Sequence, residues 1–551
     1  MTKKQTTIIT ALSITAFLLA LLVSGRLWFR LDLTKNRAYT ISKVSRNLYK
    51  EIPDPVNITY YVSNKLKSVT PITGEIEDTL REYTAYSRGK IRMAVRDPVK
   101  AEISAMVENL GIRSEQLPIM EQDQTSLVTV YSGIVIEYLD KIAVLPWVVS
   151  TATLEYDLTS RIRSMVTDSE RWIAVIVGDS FRQWKESFGF LDMTLTNAGY
   201  RVRQIYPGDE IPDNTPALFV LGGVEELDEW ALYRIDRYIQ MGGKVLFAVK
   251  GVYIDINTLG ARHQQDQGLL EMIASYGVTV RPELALDLNA LVLQYQTTSP
   301  TGGVQGRIVR YPLWIGVQGD SGNSDHPVSG AGFSGLDLYW ASPLELHPTS
   351  YVEAVPLFKS SDKGWSMREN LNTSPDSSYM LTVEAAQTRG VKILGASLTG
   401  TFHSFFRDAP KPVRQGSDEE LPDLPARPSP ARIIVVGDTD FATNIIQNTN
   451  AAHNLDFLLR VAGWLATDDD IIGIRNRQAQ TGRFDKILDD SRRAAARKFS
   501  QIFNVVVIPL FVIAAGLFLA YRRRSRALKQ ARPADLQITE NNPIEEKTDD
   551  I

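Results

Sequence analysis

Apolar and polar positions follow two different rhythms along this chain, and two stretches follow none. Residues 5–25 and 499–521 hold 21 and 23 consecutive residues without a charge, most of them apolar. At about 1.5 Å of rise per residue each helix would exceed roughly 30 Å, so each predicts a membrane span. Leu27, Trp28 and Phe29 continue the apolar character past the first segment. That length favours a retained anchor over a cleaved signal peptide. The expected order is therefore a short tail and span over 1–30, a large interior, a basic helix and second span over 481–521, and a polar tail over 522–551.

The interior opens with a mixed rhythm. Val56-Asn-Ile-Thr-Tyr-Tyr-Val62 is β-branched and aromatic, as a strand should be. Ile76, Leu80 and Tyr83 recur at helical spacing over 75–87. A strand is expected over 90–96, stopped by Asp97-Pro98, then a short helix over 101–110 and two strands over 126–138 and 141–149. This order, over 38–165, resembles a thioredoxin-like unit without its cysteine pair.

From residue 170 the apolar runs become continuous. Trp172-Ile-Ala-Val-Ile-Val177, Ala217-Leu-Phe-Val-Leu221, Lys244-Val-Leu-Phe-Ala-Val249 and Arg432-Ile-Ile-Val-Val436 read as strands buried on both faces. Helices are expected between them over 186–198 and 225–241, the latter closed by Gly242-Gly243. Shorter or later helices are expected over 268–276 and 454–465. Alternating strands and helices predict a doubly wound parallel sheet over 170–480. Two interruptions are expected inside it: a loop over 297–335, where periodicity fails, and a proline-rich linker over 407–430. The fold class is α/β, two units flanked by two transmembrane helices.

Composition removes several function classes. There is no cysteine, which excludes disulfides, thiol catalysis and cysteine metal sites. A formal charge of −4 leaves no basic footprint for nucleic acid. No Gly-x-x-x-x-Gly-Lys-Ser/Thr occurs, so ATP hydrolysis by that loop is not expected. Lys and Arg flank the two spans eight against eight, tails against interior, so charge counting does not orient them. The Arg522-Arg523-Arg524 cluster directly against the second span leans towards cytoplasmic tails.

Candidate chemistry lies at strand ends, where ligands bind in doubly wound sheets. Asp438 and Asp440, in Gly437-Asp438-Thr439-Asp440, could hold a divalent metal through oxygen ligands. The competing reading, which weighs more, is a turn whose acids bond local backbone. Gly178-Asp179-Ser180 occupies the equivalent place after another strand, without the surroundings of a nucleophile elbow. His263, His326, His347, His403 and His453 are scattered, with no pair at ligand spacing. No catalytic, cofactor-binding or firm metal residue is assigned, and no cofactor is expected.

One layout remains to be matched. The first span leads to Arg30-Leu-Asp-Leu-Thr-Lys-Asn-Arg-Ala-Tyr-Thr-Ile-Ser42. Later come Leu232-Tyr-Arg-Ile-Asp-Arg-Tyr-Ile-Gln-Met-Gly-Gly243 and Val435-Val-Gly-Asp-Thr-Asp-Phe441, then Asn454, Trp464-Leu465 and the second span. This resembles the GldG-like family of ABC-type transport auxiliary proteins, first associated with gliding motility. The resemblance implies a non-enzymatic auxiliary subunit in the bacterial cytoplasmic membrane. Its partners would be an ABC-2-type permease and a separate cytoplasmic ATPase, and its interior would be extracytoplasmic. It also implies a glutamine-amidotransferase-like central domain. The family often carries a Gly-His-Gly-Glu-like turn where this chain has Gly178-Asp-Ser-Phe181, so a ligand held there would be held differently. Two alternatives stay open: a membrane-tethered ligand- or carbohydrate-binding module, and a metal-dependent hydrolase using Asp438 and Asp440.

Overall fold

The computed structural model describes residues 40–466, apart from 122–123, 152, 168–170, 299–303, 331–332, 385–388 and 415–418, together with parts of 498–522. The first apolar segment, most of the 30–42 motif, most of the basic run before the second segment and nearly all of the last tail lie outside the described residues. The chain divides into two units, Met1–Gln480 and Thr481–Ile551.

Near the start of the described residues Ser42 caps a helix, Lys43–Glu51, by accepting from the Ser45 backbone N–H at 3.0 Å. Strands β1 (Val56–Val62), β2 (Ile91–Arg96), β3 (Ser114–Glu121), β4 (Gln124–Tyr138) and β5 (Lys141–Leu145) follow. They form one sheet in the order β2-β1-β4-β3, with β5 also on β4. Only β1 and β2 run parallel, as the intervening helix Ile72–Ala85 requires. Strand β3 was not expected, because Pro118 sits within it. It lies at the sheet edge, where proline is tolerated.

A further helix, Leu154–Val166, also escaped the sequence reading, although Leu154, Leu158, Ile162 and Met165 keep helical spacing and are buried. It ties the start of the described chain to the sheet. Buried Glu155 Oε1 accepts from Ser42 N and from Ser45 Oγ, both at 2.7 Å. Thr159 and Tyr83 share a hydroxyl contact at 2.9 Å, and Tyr83 meets Tyr49 edge-on at 5.4 Å.

Strands β6 (Trp172–Val177), β7 (Arg201–Gln204), β8 (Leu218–Leu221) and β9 (Lys244–Ala248) are parallel neighbours in the order β7-β6-β8-β9. The continuous apolar runs are explained by burial on both faces. Ile173, Val175 and Val177 join one core with Phe188 and Leu191, while Trp172, Ala174 and Ile176 join the other with Trp230 and Ile235. Asp228 caps the helix Glu229–Gln240 by accepting from Ala231 N at 2.9 Å.

The chain then builds β10 (Val252–Asp255) and β11 (Gly260–His263) as a hairpin, β12 (Val278–Val280), β13 (Leu284–Asp287), β14 (Ala290–Thr298), β15 (Val304–Gln318), β16 (Gly335–Tyr339), β17 (Leu344–Leu346), β18 (Val352–Lys359) and β19 (Gly364–Met367). Strands β20 (Ile393–Gly400) and β21 (Ala431–Val436) complete the large sheet. Strand β21 is parallel to β9, whereas β20, β18, β17 and β12 extend that edge antiparallel.

The expected loop over 297–335 is corrected here. Much of it is β15, paired with β14 and β16 in a three-stranded sheet. Periodicity failed because β15 is two half-strands: its first residues are exposed, and Tyr311, Leu313 and Ile315 are fully buried. A bulge at the β14 junction accommodates Pro312. The proline-rich 407–430 segment has neither helix nor strand where it is described, but it does not hang free. It straps across helix Glu229–Gln240: Tyr233 Oη donates to Pro422 O at 3.0 Å, Arg234 pairs with Glu419, and Ser429 N donates to Gln240 O at 2.8 Å.

Candidate functional site

The carboxyl ends of β6, β8, β9 and β21 converge, and each delivers part of one cluster. Strand β21 runs into Gly437-Asp438-Thr439-Asp440, β9 into Lys250, β6 into Gly178-Asp179, and β8 into Gly222-Gly223. Asp438 is fully buried and Asp440 is 3% exposed.

Asp438 acts on the backbone. Its Oδ2 accepts from Tyr339 N at 2.7 Å and Phe441 N at 3.2 Å, and its Oδ1 accepts from Asp440 N at 2.7 Å. One carboxylate thereby fixes the turn after β21 and clamps β16 against it. Thr439 Oγ1 donates to Ala248 O at 2.8 Å, tying the same turn to β9. Asn454 extends the clamp: its amide donates to Asp337 O at 2.8 Å and Phe441 O at 3.0 Å, and accepts from Asp337 N at 2.9 Å.

Two cations occupy the space between the acids. Lys250 Nζ lies 3.3 Å from Asp438 Oδ1 and also pairs with Asp440 Oδ2. Arg182 Nη2 donates to Asp440 Oδ1 at 2.6 Å, and its Nε lies 3.4 Å from Asp179 Oδ2. Asp179 Oδ1 also accepts from Gly223 N at 2.7 Å. Burial pushes the Asp438 carboxyl up to about 6, against the pull of Lys250. Burial acts on Asp440 in the same direction, but Arg182 and Lys250 outweigh it and hold that carboxyl at about 2. Burial also raises Asp179, opposed by Arg182 and the Gly223 N–H.

The sequence therefore located Asp438 and Asp440, and the structure adds the partners. A divalent metal bridging this pair would have to displace the Lys250 ammonium. Among the described residues no group of three His, Cys, Asp or Glu is arranged around a metal position. Ser180 stands apart, its backbone N–H donating to Glu226 at 2.6 Å. The histidines are dispersed: His326 contacts Ser397 at 3.0 Å, His347 contacts Thr279 at 3.1 Å, and His453 contacts Asp337 at 3.1 Å. Lys250 and Arg182 were missed, although both lie just past buried strands. A cation at one strand end opposite acids at another was the available signal.

Beside Asp440 and Arg182 opens a cavity of about 480 Å³, walled largely by Phe181, Leu293, Tyr295, Trp314, Trp340 and Ile445. Of the ion cluster, Arg182 and Asp440 line it, and Lys250 lies 5.3 Å from the centre of the Trp340 ring.

Comparison with known proteins adds the following. Residues 170–461 match the model of a family described as an ABC-type uncharacterized transport system. Residues 35–137 match a domain of unknown function, DUF7088. An uncharacterized protein of Borreliella burgdorferi is 26% identical over 509 residues, covering 90% of this chain and 94% of its own. Among solved structures, the mmIFT52 N-terminal domain aligns with 54% of this chain and 98% of its own at 13% identity and a TM-score of 0.31. The exo-beta-1,4-mannosidase Op5Man5 from Opitutaceae bacterium strain TAV5 aligns with 72% of this chain and 50% of its own at 9% identity and a TM-score of 0.23. Scores of that size carry no conclusion about fold or activity.

Proposed function

Since the chain belongs to the ABC-type uncharacterized transport system family, we propose that it is a membrane-anchored, non-enzymatic auxiliary subunit of an ABC-2-type transporter, of the GldG-like kind. Its interior would be an extracytoplasmic interaction module made of a thioredoxin-like unit over 38–165 and a glutamine-amidotransferase-like domain over 170–480. Both termini would be cytoplasmic. The family match carries the transport role. Without a Walker loop, the energy must come from a separate ATPase.

Anchoring is supported by the two uncharged segments. The first lies outside the described residues. In the second, the described residues Phe499, Phe511, Leu517, Phe518 and Tyr521 are 63–74% exposed. A helix apolar on every side needs an apolar surrounding. No helix among the described residues is long and apolar enough to cross a membrane, and the second segment is described only in part. The ion cluster supports a non-catalytic interior, since its carboxylates are committed to backbone N–H groups and to Lys250 and Arg182.

The test is co-purification. The tagged full chain, extracted from its native membrane in a mild detergent, is expected to bring down a multi-span permease and an ATPase in comparable amounts. A folded chain that emerges alone from every such extraction would overturn the reading.

A further inference from the structure

The three-stranded sheet ends on β14, and that edge is open. Strand β15 pairs with β14 on one side, and among the described residues no strand pairs with it on the other. Nor does any backbone bond from outside that pair reach residues 291–297 among the described residues. The opposite edge of the sheet is closed by side chains. On β16, Tyr339 N donates to Asp438, Asp337 N donates to Asn454, and Asp337 O accepts from the Asn454 amide.

An open edge offers a row of backbone donors and acceptors to another strand, so proteins guard edges with charge, proline or brevity. The two larger sheets follow that rule. Strand β2 carries Arg92 and Arg96, β3 carries Pro118, β7 carries Arg201 and Arg203, and β12 has 3 residues. Strand β14 is 9 residues long, Ala-Leu-Val-Leu-Gln-Tyr-Gln-Thr-Thr, with no charge and no proline. One of its faces is half-buried at Leu291, Leu293 and Tyr295, and the other is exposed at Val292, Gln294 and Gln296. Beside that exposed face lies Ile308 of β15, opposite Gln294 and 70% exposed.

An identical strand fits this edge. A two-fold axis normal to the sheet sets two copies of β14 antiparallel and keeps their exposed faces on one side. Centred on Gln294, the pairing engages the whole of 290–298 and places Val292 of one copy opposite Gln296 of the other. No like charges meet, because β14 has none. A charged peptide from another protein would find no complementary charge on this strand. We propose that β14 pairs with β14 of a second copy of this chain, joining two three-stranded sheets into one continuous sheet. The inference goes beyond the auxiliary role and stands whether or not a transporter partner is found.

The test uses the full chain purified alone in a mild detergent. Sedimentation equilibrium across the micromolar range is expected to show a reversible dimer. Gln294→Lys sets two ammonium groups face to face and should weaken the dimer about fivefold, while the denaturation midpoint stays unchanged. An equimolar mixture of Gln294→Lys and Gln294→Glu chains should restore it. The absence of cysteine allows a second readout. Gln294→Cys should form a disulfide-linked dimer on mild oxidation, far more than Val413→Cys, which is 86% exposed in the proline-rich strap. A monomer throughout that range overturns the proposal. So does a dimer that Gln294→Lys leaves unchanged, as one held by the apolar ends would be, or equal cross-linking at 294 and 413.

Discussion

Replacing Lys250 with methionine is expected to cost about 3–5 kcal/mol of stability at pH 8, because it leaves buried carboxylates without their cation. The loss should shrink as the pH is lowered to 5. The sign follows from the two acids. Burial pushes Asp438 up to about 6, above its unfolded value, so its contribution favours the fold below the usual carboxylate range and is lost as pH rises through 6. Despite its burial, Arg182 and Lys250 hold Asp440 at about 2, so its contribution is present at neutral pH and is lost as pH falls through the acid range. Without Lys250 both carboxyls rise, and protonation of Asp438 removes one of the uncompensated charges near pH 5. Denaturant unfolding followed by tryptophan fluorescence at pH 8 and pH 5 reads the difference. An equal loss at both pH values would show that the ammonium does not hold this cluster together by charge.

Gly178→Ala is the second large effect. A Cβ at that position would lie 2.4 Å from Gly223 Cα, 2.8 Å from Gly223 N and 2.9 Å from Gly222 O. All three are backbone atoms of the neighbouring strand end, so no side chain can yield. The ends of β6 and β8 would have to part, stretching Gly178 N to Leu221 O at 3.0 Å and Gly223 N to Asp179 at 2.7 Å. Overpacking of this kind costs about 1–3 kcal/mol, and more where backbone must move. Gly306→Ala is the matched control, since its Cβ would meet nothing within 4 Å. The expected result is a clear drop in the denaturation midpoint for Gly178→Ala and almost none for Gly306→Ala. If the two variants unfold alike, the close approach at the strand ends is not what the glycine serves.

The two predictions share a lesson about what the chain discloses before it folds. The parallel strands were legible because burial on both faces leaves an unbroken apolar run, as in Trp172–Val177. Helix Glu229–Gln240 was legible from its apolar faces and closing glycines. Strand β15 was not, because one half is exposed and the other buried, so neither template fits its length. Helix Leu154–Val166 was legible in principle, but its buried polar residues Glu155 and Thr159 blur the apolar stripe. At the site, the acids of 437–440 stood out as a turn beside a strand. Lys250 and Arg182 did not, because a cation pairs with them only after residues 190 and 258 positions apart are brought together. The glycines at 178, 222 and 223 serve contacts between strand ends that are close only in the fold.

The proposed function places the working surface of this protein at its two apolar ends, and the charges of the buried cluster are paired with one another. The most direct measurement replaces residues 499–521 with a polyleucine span of equal length in the full tagged chain. That chain should stay in the membrane with its interior folded and lose the co-purifying permease and ATPase. Retention of both partners at unchanged amounts would contradict the account, since the native span would then serve only as a tether.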